Sequence, residues 1–355
     1  MKFWVDMDNA PHVHVLRPII VELERRGHRV EITARDYGQT LPLLEFYGLK
    51  ARRIGRHGGK SKLRKYVSFV TRTLSLLSFA LGKRFDAAFS HGSRSIVPVA
   101  RLLGLPLVSL GDYEHTVFPN FMRSWIRLLL IPDVIPIEAF AGRGMPHDRI
   151  CGYPGLKEDL YVHDFHPDPS FLAELHIDLE LVLILIRPPA TMAHYAVKRS
   201  SVVFNQVLDY LCGLSSVQLI LLPRTRQQGE ELKAVVRKRG YTNIVIPDTV
   251  YNGPSLIWYS DLVISGGGTM NREAAALGVP VFSIYQGAIG AVDRHLIDTG
   301  RLIHVKNIDD LKNIPLVKST RGGEVPKSET GSRLTAFIVS RILKAAENRR
   351  GAACT

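Results

Sequence analysis

Followed for its apolar and polar positions, the chain repeats one rhythm twice. Short apolar runs bounded by polar or glycine-bearing turns alternate with longer stretches in which apolar residues recur every three or four positions. The first pattern is that of strands buried on both faces, and the second that of amphipathic helices covering them. In the N-terminal half the predicted strands run from Met1 to about Asp6 and over 28–33, 85–90 and 105–110. A helix containing Ile19 through Arg26 separates the first two. Pro18 fits its first turn, where a missing N–H costs nothing, and Gly27 fits the cap that ends it. A small-residue helix over 96–103 follows the third strand, so this half reads as a parallel sheet covered on both faces.

The second half repeats the scheme, with predicted strands over 181–186, 218–222, 243–246, 261–264 and 279–283. The turn-rich passage from Cys151 through Pro169 carries Pro154, Pro167 and Pro169 and precedes a fresh strand, which makes it the predicted linker. The expected organisation is α/β, with two doubly wound Rossmann-like domains over 1–160 and 161–330. A polar loop over 319–329 precedes a C-terminal segment, 331–355, in which 334–346 reads as an amphipathic helix able to return to the first domain.

At 355 residues the chain exceeds one ordinary core, and 46% hydrophobic with 22% charged residues is globular composition. Cys151, Cys212 and Cys354 are scattered and odd in number, which indicates neither a disulfide framework nor a zinc site. The expected setting is the cytoplasm, because the first strand opens without a signal-peptide pattern and no apolar run is long enough to span a membrane. A net charge of +13 calls for something anionic: nucleic acid, acidic lipid or a phosphorylated substrate. No basic stripe interleaved with stacking aromatics supports nucleic acid.

Ser265-Gly266-Gly267-Gly268-Thr269-Met270-Asn271-Arg272-Glu273 carries the chemistry. It joins an apolar strand to a helix through a loop almost without side chains. Such a loop lets an anion approach backbone N–H groups at the helix's positive end. Glu273 then stands one turn into the helix, where a carboxylate accepts hydrogen bonds from sugar hydroxyls. A nucleotide diphosphate fits this arrangement; glycines in a tight turn without a ligand remain the alternative. Arg187 and Arg224 follow second-half strands, at the sheet edge where open α/β folds bind ligands, and are candidates to neutralise the diphosphate. An ordinary solvated ion pair is the other reading of each.

The two wound domains, the glycine loop with Glu273, and a ligand loop after the first strand together resemble the GT-B superfamily, whose two domains face a cleft. The nearest kinds are nucleotide-sugar 2-epimerases and the lipid-intermediate N-acetylglucosaminyltransferase. Met7-Asp8-Asn9-Ala10-Pro11-His12-Val13, Gly152-Tyr153-Pro154-Gly155-Leu156-Lys157-Glu158 and the run from Ser265 to Pro280 further resemble a prokaryotic family known only as a domain of unknown function. The resemblance implies a ribose on Glu273, phosphates on Gly266, Gly267 and Gly268, and a ligand-facing His12. Asn9-Ala10-Pro11 stands where the transferase has glycines, so Asp8 and Asn9 add polar groups where backbone would otherwise approach a ligand.

Proton transfer needs a group titrating near neutrality, and His12, His14, His91, His115 and His194 are the candidates. His12 and His91 follow first-half strands, as does Asp112-Tyr113-Glu114-His115, in which two acids flank an aromatic beside a histidine. The expected catalytic set is His12, Asp112, Glu114 and His115. Gly266, Gly267, Gly268, Thr269, Asn271, Glu273, Arg187, Arg224, Asn9 and His91 are expected to bind substrate. No metal site and no cofactor are expected. The basic and apolar segment from Lys60 to Arg84, with Leu77 and Phe79, and the stretch 121–130 suit an anionic membrane surface or two helices packed on the sheet. Together with the resemblance, these features imply a cytoplasmic, metal-independent glycosyltransferase of surface-polysaccharide or glycolipid synthesis that uses a nucleotide sugar and a saccharide or lipid-linked acceptor, with peripheral contact to the inner face of the membrane as an option. A nucleotide-sugar 2-epimerase and a non-catalytic nucleotide-sugar-binding assembly protein are the alternatives.

Overall fold

The computed structural model describes residues 1–59, 61–116, 118–162, 165–189, 195–249, 251–307, 309–310, 314–319, 325 and 328–353, without side chains at 195–198 and 350–353. Lys60, His194, Cys354 and part of the 319–329 loop therefore lie outside the described residues. The chain forms two compact units, Met1–Tyr161 with Ser328–Thr355, and Val162–Lys327.

The first unit holds seven strands, β1 (Lys2–Met7), β2 (Arg29–Asp36), β3 (Ala51–Arg56), β4 (Ala87–His91), β5 (Leu107–Leu110), β6 (Leu128–Pro132) and β7 (Ile150–Tyr153). They lie in the order β3-β2-β1-β4-β5-β6-β7, every neighbour parallel. The second unit holds β8 (Val182–Arg187), β9 (Val217–Leu221), β10 (Ile244–Val245), β11 (Leu262–Ser265), β12 (Val281–Ser283) and β13 (Ile303–His304). Their order is β10-β9-β8-β11-β12-β13, again all parallel. Each sheet thus reverses its winding at one place, between β1 and β4 in the first unit and between β8 and β11 in the second. Open α/β sheets leave a crevice for ligands at such a reversal.

Several elements differ from the sequence expectation. Residues 128–130, the end of the stretch 121–130 read as a membrane-surface segment or a packed helix, belong to the buried strand β6, after a helix of only four residues, Asn120–Arg123. A short run of leucines has no periodicity with which to tell a helix from a strand, and the sheet's need for a strand beside β5 decides. The predicted linker opens inside β7. Pro18 lies within a longer helix, Ala10–Arg25, rather than in its first turn. Its ring removes the N–H that the carbonyl of His14 would otherwise accept. The helix Glu329–Ala353 belongs to the first unit and packs on Ala10–Arg25. Among the described residues no helix is long and apolar enough to cross a membrane.

The core of the first unit contains charge. Asp6, at the end of β1, is fully buried. Arg72, from the helix Lys62–Ala80, meets it with both terminal nitrogens at 2.8 and 3.0 Å and donates through Nε to the Ile54 carbonyl of β3 at 3.1 Å. Ser93 and Thr33 donate their hydroxyls to the same carboxylate at 2.5 and 2.6 Å, and Trp4 Nε1 donates to Thr33 Oγ1 at 2.9 Å. A carboxylate with no water has every lone pair answered, which is the condition under which burial of an ion pair is tolerated. We expect Arg72→Met to cost about 3–5 kcal/mol in chemical denaturation, since it strands a buried carboxylate, and Asp6→Asn added to it to restore part of the loss. A loss below about 1 kcal/mol in the single variant would contradict this account.

His14 is a further buried titratable group of this unit. Its ring stacks on Tyr161 at 5.3 Å, and its Nδ1 lies 3.0 Å from the Tyr47 hydroxyl, which donates to it when the ring is neutral. Burial, and then the charge of Arg17, push its pKa down to about 4 from 6.5. Between these two values the unfolded chain binds a proton that the folded one refuses. Stability is therefore expected to fall as the pH drops from 6.5 to 4, by up to about 3 kcal/mol from this residue. Denaturation midpoints measured across that window should flatten in His14→Gln; an unchanged slope would remove His14 as the cause.

Candidate functional site

In the first unit the reversal of the sheet is surrounded by side chains. β1 leads through Asp8 and Asn9 into the helix Ala10–Arg25, and Asn9 caps it in an extended conformation without using its side chain. The Asn9 Oδ1 atom is buried without a hydrogen-bond partner. His12, in the first turn, is buried, and its Nδ1 accepts the Asp8 backbone N–H at 3.1 Å. That bond places the ring's proton on Nε2. Burial, reinforced by His91 and Lys157, drives the His12 pKa well below its ordinary value. The ring is thus a neutral donor at neutral pH, rather than a strong base.

The His91 ring, at the end of β4, lies 4.9 Å from that of His12, and its Nε2 is 3.4 Å from Asp112 Oδ1. The other oxygen of Asp112 takes Lys157 Nζ, which is buried and also lies 3.6 Å from Glu158. His12, His91 and Asp112 come together, whereas Glu114 and His115 pair with each other at 3.6 Å and leave the lining of the cavity to their neighbours. The cavity, about 810 Å³, is lined by Asp8, Asn9, His12, His91 and Asp112, by the cations Arg35, Lys65, Arg72 and Arg94, and by apolar residues that include Phe118, Met122, Phe140 and Met145. Burial raises the pKa of Asp8, against the pull of Arg72.

Lys157 was missed as a chemical group, although the motif that contains it was visible. Gly155, at φ 84°, turns the chain where a Cβ would lie 2.7 Å from Asp159, and Asp159 accepts the Leu156 N–H at 2.7 Å. The turn delivers Lys157 inward.

In the second unit the reversal is nearly bare backbone. Ser265 of β11 lies in register with Arg187 of β8, and the chain turns through Gly266, Gly267 and Gly268 into the helix Thr269–Ala276. A Cβ on Gly266 would come within 2.6 Å of Pro189, and Gly268, at φ 90°, faces open space. The first turn of that helix has N–H groups with no carbonyl four residues back to receive them. Asn271 is buried with Oδ1 lacking a hydrogen-bond partner, as is the Ser265 hydroxyl, while Glu273 is buried one turn in. Burial lowers the pKa of Arg187, and the charge of Glu273 opposes the shift. Arg224 spends its guanidinium on the loop itself, donating to the Pro188 carbonyl at 3.1 Å and the Gly267 carbonyl at 3.3 Å. It braces the turn. Tyr285, which no sequence signal singled out, packs so that a Cβ on Gly267 would meet it at 3.1 Å.

Among the described residues no group of three or more His, Cys, Asp or Glu is placed to hold a metal ion. His194 lies outside them.

Among known proteins, the chain is 27% identical over 319 residues to the uncharacterized protein MJ0665 of Methanocaldococcus jannaschii, covering 88% of this chain and 90% of that one. Similar solved structures include UDP-GlcNAc 2-epimerase from Neisseria meningitidis bound to UDP-GlcNAc, 14% identical with a TM-score of 0.74, covering 97% of this chain and all of that one. MurG from Acinetobacter baumannii is 17% identical with a TM-score of 0.55, covering 97% and 100%. Identities this low carry the fold and leave the reaction to the site. The two parallel sheets with their interleaved helices match the two-domain α/β GT-B fold. The family described as proteins of unknown function, DUF354, matches residues 1–347, and the chain belongs to it.

Proposed function

We propose that the protein is a glycosyltransferase that takes a nucleotide-diphosphate sugar on its second unit and an acceptor on its first, with no metal or cofactor. The turn at Gly266–Gly268 carries this reading: an open backbone at a helix N-terminus, with Arg187 on the neighbouring strand and a buried carboxylate one turn further on. The helix end and Arg187 stabilise the charge that grows on the diphosphate as the sugar's anomeric C–O bond breaks. Glu273 accepts hydrogen bonds from the ribose hydroxyls. Arg224 keeps the turn in shape. In the first unit His12 offers Nε2–H to a substrate oxygen, and the His91–Asp112 pair receives the proton of the attacking hydroxyl, with Lys157 holding Asp112 in place. Glu114 and His115 have no part in that step.

The His91, Asp112 and Lys157 cluster also favours a second reading. A 2-epimerase needs groups that remove and return one proton while the diphosphate leaves and comes back, and this cluster supplies them without an acceptor. Nuclear magnetic resonance of the products separates the readings. A new glycosidic bond means transfer, and inversion at C2 without acceptor means epimerisation. Nucleotide binding with neither product would leave a non-catalytic binding protein.

A cytoplasmic protein with reversible contact to anionic lipid is the setting we propose. The helix Lys62–Ala80 exposes Leu63 (71%), Tyr66 (66%), Val67 and Leu74 beside Lys62, Arg64 and Lys65. Phe79, in contrast, is half-buried and packs against both Trp4 and Phe85, so it is not free to insert.

Two outcomes are expected. Glu273→Ala should weaken nucleotide-diphosphate binding by on the order of 1.5–3 kcal/mol in calorimetry while leaving the melting temperature within a few degrees; an unchanged affinity would take Glu273 out of the site. In flotation, vesicles containing anionic lipid should retain the protein and neutral ones should not, and Lys62→Gln, Arg64→Gln and Lys65→Gln together should release it. Equal recovery with both vesicle types would end the membrane assignment.

A further inference from the structure

The cavity of the first unit contains a cation that the reaction proposed above does not use. Arg123 lies at the end of the short helix Asn120–Arg123 and is only 5% exposed, yet it lines the cavity. Its Nη2 donates to the Thr116 carbonyl at 3.3 Å, and its Nε is buried without a hydrogen-bond partner. The guanidinium carbon sits 5.5 Å from the centre of the Phe118 ring and 5.8 Å from that of Phe140. Among the described residues no carboxylate comes within ion-pair distance of it. Burial, with the charge of Arg143 added, holds its pKa below the ordinary arginine value. Arg143 is itself directed to the Glu114 backbone carbonyl.

An arginine carries five N–H donors in a planar fork and stays charged in proteins. Buried with donors to spare and no counter-charge, it raises the free energy of the empty pocket. Aromatic faces recover part of that cost but cannot satisfy N–H donors aimed in the ring plane. A carboxylate or phosphate oxygen can do both, and its bond to a desolvated guanidinium is of the charge-assisted kind. Phe118 and Phe140 flank the guanidinium, and Met122, Ile126 and Met145 add apolar side chains to the same lining. Phe121 lines it as well and is 64% exposed, so an apolar body seated here has a way out past an aromatic side chain. Asp8 and Asp112, which also line the cavity, are paired with Arg72 and Lys157, whereas Arg123 has no such partner among the described residues.

We propose that this cavity binds a small anionic amphiphile, its carboxylate or phosphate on Arg123 and its apolar body against Phe118, Met122 and Phe140. The binding site stands on its own geometry. Its role as the acceptor site rests on the transferase reading.

Octyl phosphate, octanoate, octanol and inorganic phosphate, each titrated into the full chain below the micellar range, test both halves of the assignment. At least one of the two octyl anions should bind at one site per chain, tenfold or more tighter than octanol and than inorganic phosphate. The stronger of the two identifies the head group. Arg123→Met, which keeps the side chain apolar and similar in length, should lower that affinity tenfold or more, and Arg123→Lys should retain part of it. UDP titrated in parallel reports on the second unit and on folding, and is expected to bind wild type and both variants alike. If UDP fails to bind anywhere while the octyl anion binds through Arg123, the nucleotide reading falls and this site stands. Octanol binding as tightly as both anions, no octyl anion binding the wild type, or Arg123→Met binding unchanged would each overturn the proposal. The comparison of octyl anions with octanol decides in wild type alone if Arg123→Met does not fold.

Discussion

A carboxylate cannot be left alone inside a protein, and in this one Asp6 stands at the end of the first strand with no access to water. Arg72 answers it, and reaches it only because β3 carries Gly55, where a Cβ would lie 2.9 Å from the Arg72 side chain. That one pairing fixes the helix Lys62–Ala80, three strands and the loop bearing Ser93 relative to one another. Two residues beyond Asp6, the backbone N–H of Asp8 meets His12, so the tautomer of the candidate catalytic ring is set by a strand end that the ion pair holds still. Such positioning is what a site needs if its donors are to act without reorganising.

The two sheets reverse their winding in the same way and equip that place differently. In the second unit the chain presents Gly266 to Gly268, so what a ligand meets first is backbone and a helix end. In the first unit Asp8 and Asn9 form the corresponding turn into the helix that opens at Ala10, and it presents side chains. Backbone N–H groups suit phosphates of any origin, whereas an orphaned Asn9 oxygen and a neutral imidazole recognise particular hydroxyl patterns. The contrast between a turn of bare backbone and a turn of side chains is built at the level of residue type.

Much of this was legible in the sequence because it is local. Strand-and-helix alternation, the glycine loop, Glu273 and the histidine after the first strand are all written in consecutive residues. What was not legible depends on partners distant in the chain. Leu128 to Ile131 are a strand because β5 offers an unpaired edge, and β7 sits where prolines suggested a linker because β6 needs a neighbour. Arg224 and Arg187 read alike as cations after strands, yet one is spent on the carbonyls of the loop and the other stands beside Glu273. The acids at 112 and 114 are two residues apart, and the structure turns one to Lys157 and the other to His115. Lys157 and Arg123 carry no local sign of burial at all.

The helix Glu329–Ala353 closes the first unit although the whole second unit precedes it in the chain. Asp159 and Gly331 approach so closely that a Cβ on that glycine would touch the Asp159 carbonyl at 2.5 Å. The second unit is therefore an insertion whose entry and exit meet, and a ribosome must finish it before the surface of Ala10–Arg25 can be covered. Until then the first unit has its sheet but not its last layer, and the order of synthesis makes the second unit the first to be complete.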